Sequence, residues 1–239
     1  MPRTDLDQLW NQVRGATRAG QGLGSLSPGL AARQLGYDAL TLCLATPRGH
    51  LELLWSDDAA GRLGPVLDDL QYTLGEGPTL DAARTGRTIT EPDLTRTPID
   101  RWPQFLPAAA RTRARTILAT PLHLGVVPAG ALTVYGTTAG APTAHQHESI
   151  VRFARAALLL LLQASPARLL TGDHAPGITL YRAEVHQATG MLAVQLALPL
   201  DQALLRLRAH AYAHDRALLD VAHDILAHRL HLEPEDTAP

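Results

Sequence analysis

The sequence predicts an α+β domain built on an antiparallel sheet with flanking helices, followed by a separate unit of three helices. Pairs of short apolar or alternating segments, typical of antiparallel strands, are interleaved with helical patterns in the first part of the chain. A long amphipathic helix then closes that part, as in α+β domains. Beyond residue 177 the apolar residues recur only at helical spacing, which predicts the second, all-helical unit.

The first elements follow from local patterns. Residues 1–24 are expected to form an N-terminal helical extension, interrupted by the glycine-rich stretch "GQGLGSLSPG". "ALTLCLAT" and "HLELLWSD" predict two antiparallel strands joined by a turn. Further along, "TLDAARTG" predicts a short helix ended by Gly86, and "RTITE" predicts a short strand stopped by Pro92.

The second half of this domain repeats the strand-pair pattern. "RWPQFLPAAARTRA" is predicted to be helical after its prolines, and "TILATPLHLG" and "AGALTVYGT" predict two strands around a turn at residues 125–128. Residues 142–164 have the apolar spacing of one long helix. Its "ALLLLL" end is apolar on all sides, so it is expected to be buried in a core or against a second subunit.

The chain then changes character. Residues 164–177 contain two prolines and two glycines and are the best linker candidate. Residues 178–232 hold three helical patterns, and residues 233–239 are expected to form a flexible tail. Gly190 lies within the first pattern, opposite the apolar stripe that contains Val185. Because glycine costs roughly 1 kcal/mol in a helix interior, we expect a close approach there, by another helix, a dimer partner or a nucleic acid.

Composition narrows the class of protein. The 239 residues carry a formal net charge of −2, so the chain has no overall positive charge that would indicate nucleic-acid binding. The 21 lysine and arginine positions are all arginine, which is typical of a GC-rich genome. Cys43 is the only cysteine, which excludes an intramolecular disulfide and fits a reducing compartment. With no signal-peptide pattern and no apolar run near the ~20 residues of a membrane span, a cytoplasmic protein is expected.

The C-terminal unit resembles the ANTAR domain, an RNA-binding module of bacterial antitermination regulators. The resemblance lies in "RAEVHQATGMLAVQLALPLDQALLRLRAHAYAHDRALLDVAHDIL", residues 182–226. The positions that match the family pattern are Arg182, Gln187, Ala188, Gly190, Ala203, Leu207, Arg208, Ala211, Val221 and Ala222.

The preceding part resembles the GAF domains of actinobacterial GAF-ANTAR proteins. The stretches that carry this resemblance are "LGEGPTLDAARTGRTITEPDL", "RWPQF" and "ATPLHLGVVPAGALTVY", and it covers residues 25–163. The two resemblances together imply a GAF-like sensory domain, a linker and an ANTAR unit in that order.

The resemblance implies a regulator and not an enzyme. The GAF domain would sense a small ligand or a partner, and a homodimer of ANTAR units would bind tandem hairpins in leader transcripts, preventing formation of the terminator. Two features depart from the family: Thr189 replaces a lysine, and residues 178–232 balance five arginines against five acids. The alternative is a sensory or scaffold protein whose helices make only protein contacts.

The candidate RNA contacts lie on the first two C-terminal helices and just beyond. They supply cations, hydrogen-bond donors and one stacking ring. His210 and His214, at i and i+4, could instead hold a metal or make RNA affinity depend on pH, although we predict no metal site and no cofactor. The predicted RNA-binding residues are Gln187, Thr189, Gly190, Arg206, Arg208, Tyr212, His214 and Arg216.

The candidate ligand pocket of the GAF-like domain is built on aromatic residues, which could equally be ordinary core packing. Cys43 is interpreted as a buried filler, "GEGP" lacks the spacing and lysine of a phosphate loop, and no nucleophile and base stand at recognisable spacing. The predicted pocket residues are Tyr72, Trp102, Phe105, His123 and Tyr135.

Overall fold

The computed structural model describes residues 3–46, 50–56, 63–163 and 182–232, which belong to two compact units. The first unit contains the described residues up to 163, and the second contains residues 182–232. The predictions for a linker at 164–177 and a tail at 233–239 lie outside the described residues.

The described residues of the N-terminal unit form six helices and five strands, with three short 3₁₀ turns at Leu23–Ser25, Leu94–Arg96 and Ile99–Arg101. Both predicted strand pairs, the short strand and the long helix are confirmed. The elements are α1 (Arg3–Arg18), α2 (Pro28–Gln34), β1 (Ala39–Ala45), β2 (Leu51–Ser56), α3 (Leu63–Leu74), α4 (Pro78–Thr85), β3 (Ile89–Glu91), α5 (Phe105–Ala110), β4 (Thr116–Leu124), β5 (Val127–Gly136) and α6 (Ala144–Gln163).

The five strands form one antiparallel sheet in the order β2-β1-β5-β4-β3, which confirms the α+β prediction. β4 and β5 are joined by a turn of only two residues, since Leu124 pairs with Val127. The turn predicted at residues 125–128 is therefore too long. Gly125, with φ +63°, supplies the left-handed conformation that so short a connection requires.

Each face of the sheet is covered by helices. On one face Leu42, Leu118 and Leu132 join a core completed by α1, α2 and α6. On the other face Ala39, Ile117 and Tyr135 join a second core completed by α3 and α5, and α4 packs over β3, β4 and β5. The sheet is thus the middle layer of three, which is why its strands read as nearly continuous apolar runs.

Helix α1 is a correction to the expected organisation. We predicted residues 1–24 as an extension separate from the sheet domain, yet Leu9 and Val13 of α1 are buried in the same core as the sheet. α1 contacts α2 and α6, so its apolar stripe is covered within this unit. The described part of that segment is therefore integral to the N-terminal unit, because its apolar spacing needs a surface to bury against.

The "GEGP" segment has a structural role. It connects α3 and α4, with Gly75 and Gly77 both at positive φ. The carboxylate of Glu76 accepts the backbone N–H groups of Gln104 and Phe105, each at 2.7 Å. Those donors lie at the start of α5 and have no partner within the helix, so Glu76 caps α5 from a distant loop.

The C-terminal unit consists of α7 (Ala183–Gln195), α8 (Leu200–Ala213) and α9 (Leu218–Leu226), and each helix contacts the other two. Its buried apolar residues are Val185, Ala188, Leu192, Leu196, Ala203, Leu204, Leu207, Ala211, Leu218, Val221, Ala222 and Ile225. Each helix ends in a left-handed residue that is not glycine: Ala197, Asp215 and His228, with φ of 52°, 50° and 56°.

Candidate functional site

Three of the five predicted pocket residues, Trp102, Phe105 and Tyr135, lie together in the core beneath α3 and α5. Tyr72 of α3 is also almost fully buried. The rings of Trp102 and Phe105 meet edge to face, with centroids 6.1 Å apart, and the Trp102 indole donates to Asp81 at 3.1 Å. This is well-packed core, and its role as a ligand pocket stays a prediction.

A chain of polar side chains crosses the same buried face. The Tyr135 hydroxyl lies 3.2 Å from Thr41 Oγ1 and receives a hydrogen bond from Gln71 Nε2 at 3.4 Å. Gln71 Oε1 accepts the backbone N–H of Thr79 at 2.7 Å, and Thr79 Oγ1 lies 2.9 Å from Thr133 Oγ1. The polar groups in the middle of this layer thus satisfy one another.

Gly77 allows Gln71 its position in this chain. Gly77 has φ +133°, and a Cβ there would lie 2.5 Å from the Gln71 side chain. The glycine therefore leaves room for the Gln71 amide to reach the first turn of α4. The "GEGP" segment in this way couples α3 to α4 as well as capping α5.

The same layer contains a buried acid that sequence reasoning missed. Cys43 Sγ donates to Asp68 Oδ1 at 3.0 Å, and both residues are buried. Burial, and then the charge of Asp68, raise the pKa of the Tyr135 phenol well above its ordinary value, so it remains protonated. Asp68 and Gln71 belong to α3, where the helical spacing of Leu63 and Leu67 was the available signal.

His123 lies apart from the other predicted pocket residues. It is exposed near the end of β4, and its ring would lie 3.0 Å from a Cβ on Gly86. It lines a cleft of 670 Å³ between the end of β4 and helix α6, within the size range of small-molecule sites. The cleft is lined by residues 120–125, by Gly86 and Thr88, and by Val151, Arg155, Leu158 and Leu159.

On α7 the predicted RNA-binding residues do not share one face. Gln187 is exposed, but Thr189 is buried and donates its hydroxyl to the Val185 carbonyl at 2.7 Å. No described atom outside the helix's own backbone lies within 4 Å of where a Cβ on Gly190 would stand. The expectation that another helix of this unit approaches Gly190 is therefore wrong. A close contact at Gly190 would have to come from a group outside the described residues.

On α8 the outward side carries an arrangement of rings and small residues. Ala209 and Ala213 lie opposite the buried stripe, with Tyr212 on one flank and Arg206 on the other. Tyr212 is 61% exposed. Next to Arg206, the rings of His210 and His214 stack with centroids 4.0 Å apart and an angle of 23° between their planes.

The arginines of this unit are mostly engaged within it. Arg216 and Arg229 both bind the carboxylate of Asp224, at 2.6 and 2.7 Å. Hydrogen bonds from Arg216 and then Arg229 lower the pKa of Asp224 below its ordinary value. Arg182 is buried and Arg208 is half-buried with an inaccessible Nε. Arg216 and Arg208 therefore offer less to an anion than the sequence suggested.

His210 favours its neutral form in the folded unit. Partial burial, followed by the charges of His214 and Arg216, lowers the pKa of His210 below 6.5. His214 Nδ1 lies 2.8 Å from the His210 carbonyl oxygen. Stacked rings direct their nitrogen lone pairs side by side, so this geometry does not suit one shared metal ion.

No group of three or more His, Cys, Asp or Glu side chains among the described residues could hold a metal ion. No single described helix has the length and apolar character needed to cross a membrane; α7 and α8, bent by 110°, reach that length only as a pair.

Comparison with known proteins supports the fold of the N-terminal part. No family model matches the sequence, and no curated protein matches it. The GAF domain of a phosphoenolpyruvate-protein phosphotransferase from Coxiella burnetii is 14% identical, covers 72% of this chain and 98% of its own, and superimposes with a TM-score of 0.50. At that identity the likeness establishes a GAF-like fold alone.

Two further GAF structures resemble the chain more weakly. The GAF domain of a phosphoenolpyruvate-protein phosphotransferase from Acinetobacter is 14% identical over 69% of this chain and 96% of its own, with a TM-score of 0.49. The photoproduct state of a GAF domain from Synechocystis sp. PCC6803 is 18% identical, covers 68% of this chain and 99% of its own, and has a TM-score of 0.44. The ANTAR resemblance of the C-terminal unit stays a prediction.

Proposed function

We propose that this chain is a signal-responsive antitermination regulator, whose C-terminal helices bind hairpin RNA and whose GAF-like unit senses a small ligand. The observation that carries the RNA half is the outward side of α8. Tyr212 and the cationic edge formed by Arg206 flank Ala209 and Ala213, which leaves a shallow floor between them. Unstacked loop bases bind such surfaces by stacking on rings while cations meet the phosphates.

The sensory half rests on the GAF-like fold and on the cleft beside α6. The buried face beneath α3–α5 is filled by side chains, whereas the cleft offers 670 Å³. Binding there would bias the conformation or the self-association of the chain, and through it the presentation of α8. The regulator would then let transcription pass a terminator only when the signal is present.

The test uses the full chain and a pool of tandem-hairpin RNAs with randomised loops. Affinity is measured by gel shift at several salt concentrations and at neutral and mildly acidic pH. Tyr212→Ala should weaken binding by about tenfold or more, since stacking contributes roughly 1–3 kcal/mol per base. Arg206→Gln should weaken binding and reduce the salt dependence by about one phosphate contact.

The matched control is Arg33→Gln, which removes an exposed arginine of α2 in the N-terminal unit. It should leave RNA affinity unchanged. No affinity for any member of the pool, even at low salt and acidic pH, contradicts the RNA half. So does a folded Tyr212→Ala variant that binds as tightly as the parent protein.

A second candidate function is a protein-contact module without RNA binding. Val194 on α7 is 85% exposed and Leu205 on α8 is 63% exposed, and apolar side chains so open are common where a partner protein docks. This candidate predicts that Val194→Ser and Leu205→Gln reduce self-association in sedimentation experiments. It also predicts that Tyr212→Ala and Arg206→Gln have no functional effect.

A further inference from the structure

The cleft beside α6 exists because β3 is shorter than the strand it pairs with. β3 covers only Ile117 to Ala119 of β4, through its residues 89–91. β4 continues to Leu124 while paired with β5 on its other side. This edge of β4 at residues 120–124 therefore has no neighbouring strand among the described residues, and Pro121 removes one of its backbone donors.

The walls of the cleft combine apolar surface with positive charge. Leu122, Leu158 and Val151 form the apolar part, with the exposed Leu159 at the rim. Arg155 and His123 are its ionisable groups, and none of its described lining residues is acidic. Arg155 is exposed and has no hydrogen-bond or ion-pair partner in the described part of the chain. An arginine that has no partner among the described residues and lies beside apolar walls favours an anion that also has an apolar body.

One residue of the same wall, Thr120, carries a buried hydroxyl group. Thr120 is 3% exposed, and its Oγ1 has no hydrogen-bond partner among the described residues. Buried hydroxyl groups nearly always have a partner, because an unmade hydrogen bond leaves the cost of desolvation uncompensated. Thr120 lines the cleft, but its hydroxyl oxygen is enclosed and is not offered to a bound molecule, so the charge and the apolar walls define the ligand.

We propose that this cleft binds a small organic carboxylate with an apolar body. The carboxylate pairs with Arg155, near His123, and the apolar body lies against Leu122, Leu158 and Leu159. A carboxylate suits the planar guanidinium, which can donate two parallel hydrogen bonds to it. This inference rests on the sensory half of the proposed function and names the ligand class of that half.

The test is calorimetric titration of the full chain with 4-phenylbutyrate as the probe. Its uncharged amide, 4-phenylbutanamide, and acetate, which lacks the apolar body, serve as comparison ligands. 4-Phenylbutyrate should bind at least about tenfold more tightly than either, because the site needs both the charge and the apolar contact. Arg155→Gln should remove that preference for the acid over the amide.

Arg33→Gln and His145→Gln are matched controls, since both residues are exposed and neither lines the cleft. They should leave the titration unchanged. The proposal is overturned if none of the three compounds binds, if acid and amide bind equally, or if Arg155→Gln keeps the parent affinity. It is also overturned if Leu159→Gln leaves 4-phenylbutyrate binding intact, because the apolar body then does not lie against that residue.

RNA binding separates this inference from the proposed function. If the chain binds hairpin RNA but not 4-phenylbutyrate, the RNA proposal stands and the assignment of the cleft is wrong. A chain that binds 4-phenylbutyrate through Arg155 but no RNA keeps the cleft and loses the RNA proposal. If both bind, the RNA affinity measured with and without 4-phenylbutyrate decides whether the cleft serves sensing.

Discussion

Two buried threonines lie on neighbouring strands and opposite faces of the sheet, and they differ in whether the hydroxyl has a partner. Thr133 Oγ1 lies 2.9 Å from Thr79 Oγ1, whereas Thr120 Oγ1 has no partner among the described residues. Both are at most 3% exposed. Valine has nearly the same shape as threonine, so replacing each residue isolates the contribution of the hydroxyl.

We predict opposite changes in stability for these two substitutions. Thr120→Val should raise the free energy of unfolding by about 1 kcal/mol, because it removes a buried polar group that makes no bond. Thr133→Val should lower it by about 1 kcal/mol, because it deprives Thr79 of its partner. Chemical denaturation of the ligand-free chain measures both, and changes of the same sign would contradict the prediction.

The stacked histidines of α8 make a prediction about protonation. Partial burial and the neighbouring charges of His214 and Arg216 favour the neutral form of His210 in the folded unit. Its NMR titration should therefore have a midpoint below 6.5, and His214→Gln should move the midpoint upward by removing one repulsive charge.

The same lowered pKa determines the sign of its effect on stability. The unfolded chain binds a proton at His210 more readily than the folded chain does. The stability that neutral His210 contributes is therefore fully present above about pH 6.5, and it is lost as the pH falls through the folded pKa. RNA attracts the protonated form of His210, so RNA affinity should rise as the pH falls through that same interval. A midpoint at or above 6.5 in the free protein contradicts both statements.

At the scale of the element, α7 places glycine and alanine contrary to their usual positions. Gly190 lies in the helix interior with open space around it, and Ala197 occupies the left-handed position after the helix, with φ 52°. The N–H of Leu198 reaches back to the carbonyl of Ala193 at 3.0 Å, as in the helix ending that usually takes glycine.

Exchanging the two residue types should stabilise the unit. Gly190→Ala should add up to about 1 kcal/mol through helix propensity, and Ala197→Gly should add on the order of 1 kcal/mol by relieving the left-handed strain. Thermal unfolding followed by circular dichroism measures each variant and the double variant.

Gly190→Ala also tests whether a group outside the described residues contacts this position. A stabilised variant that keeps full RNA binding and self-association shows that nothing approaches the backbone there. A stabilised variant that has lost either activity identifies Gly190 as a contact surface, because only a methyl group has been added.

At the scale of the whole molecule, each unit buries its own apolar residues. Among the described residues, the two large cores of the N-terminal unit consist of buried residues between Leu6 and Leu161. All three tryptophans belong to it, so their fluorescence reports on this unit alone.

A fragment of residues 1–163 should therefore fold without the rest of the chain. We expect a cooperative unfolding transition in tryptophan fluorescence at a midpoint close to that of the full chain. The fragment 182–232 has about 50 residues, a size at which a single core is marginal, and should unfold with low cooperativity. An unfolded 1–163 fragment contradicts this division.

The sequence determined the order and type of most elements. The strand pairs, the helix that ends at Gly86, the strand stopped by Pro92 and the helix at 142–164 all follow from local periodicity and from glycine and proline. Helix α3 was missed because its polar residues Asp68 and Gln71 point into a buried layer, which disguises its amphipathic pattern. The apolar stripes of α7 and α8 were likewise readable, since burial follows helical spacing.

Which side chains contact one another depends on how the elements pack in three dimensions. Cys43 and Asp68, or Thr79 and Thr133, are 25 and 54 residues apart in sequence, and nothing local brings them together. The cleft depends on β3 ending before β4 does, and the engagement of Arg216 depends on Asp224 lying on the next helix. Periodicity specifies the face of an element that is buried, whereas partners, cavities and free charges arise from how the elements pack together.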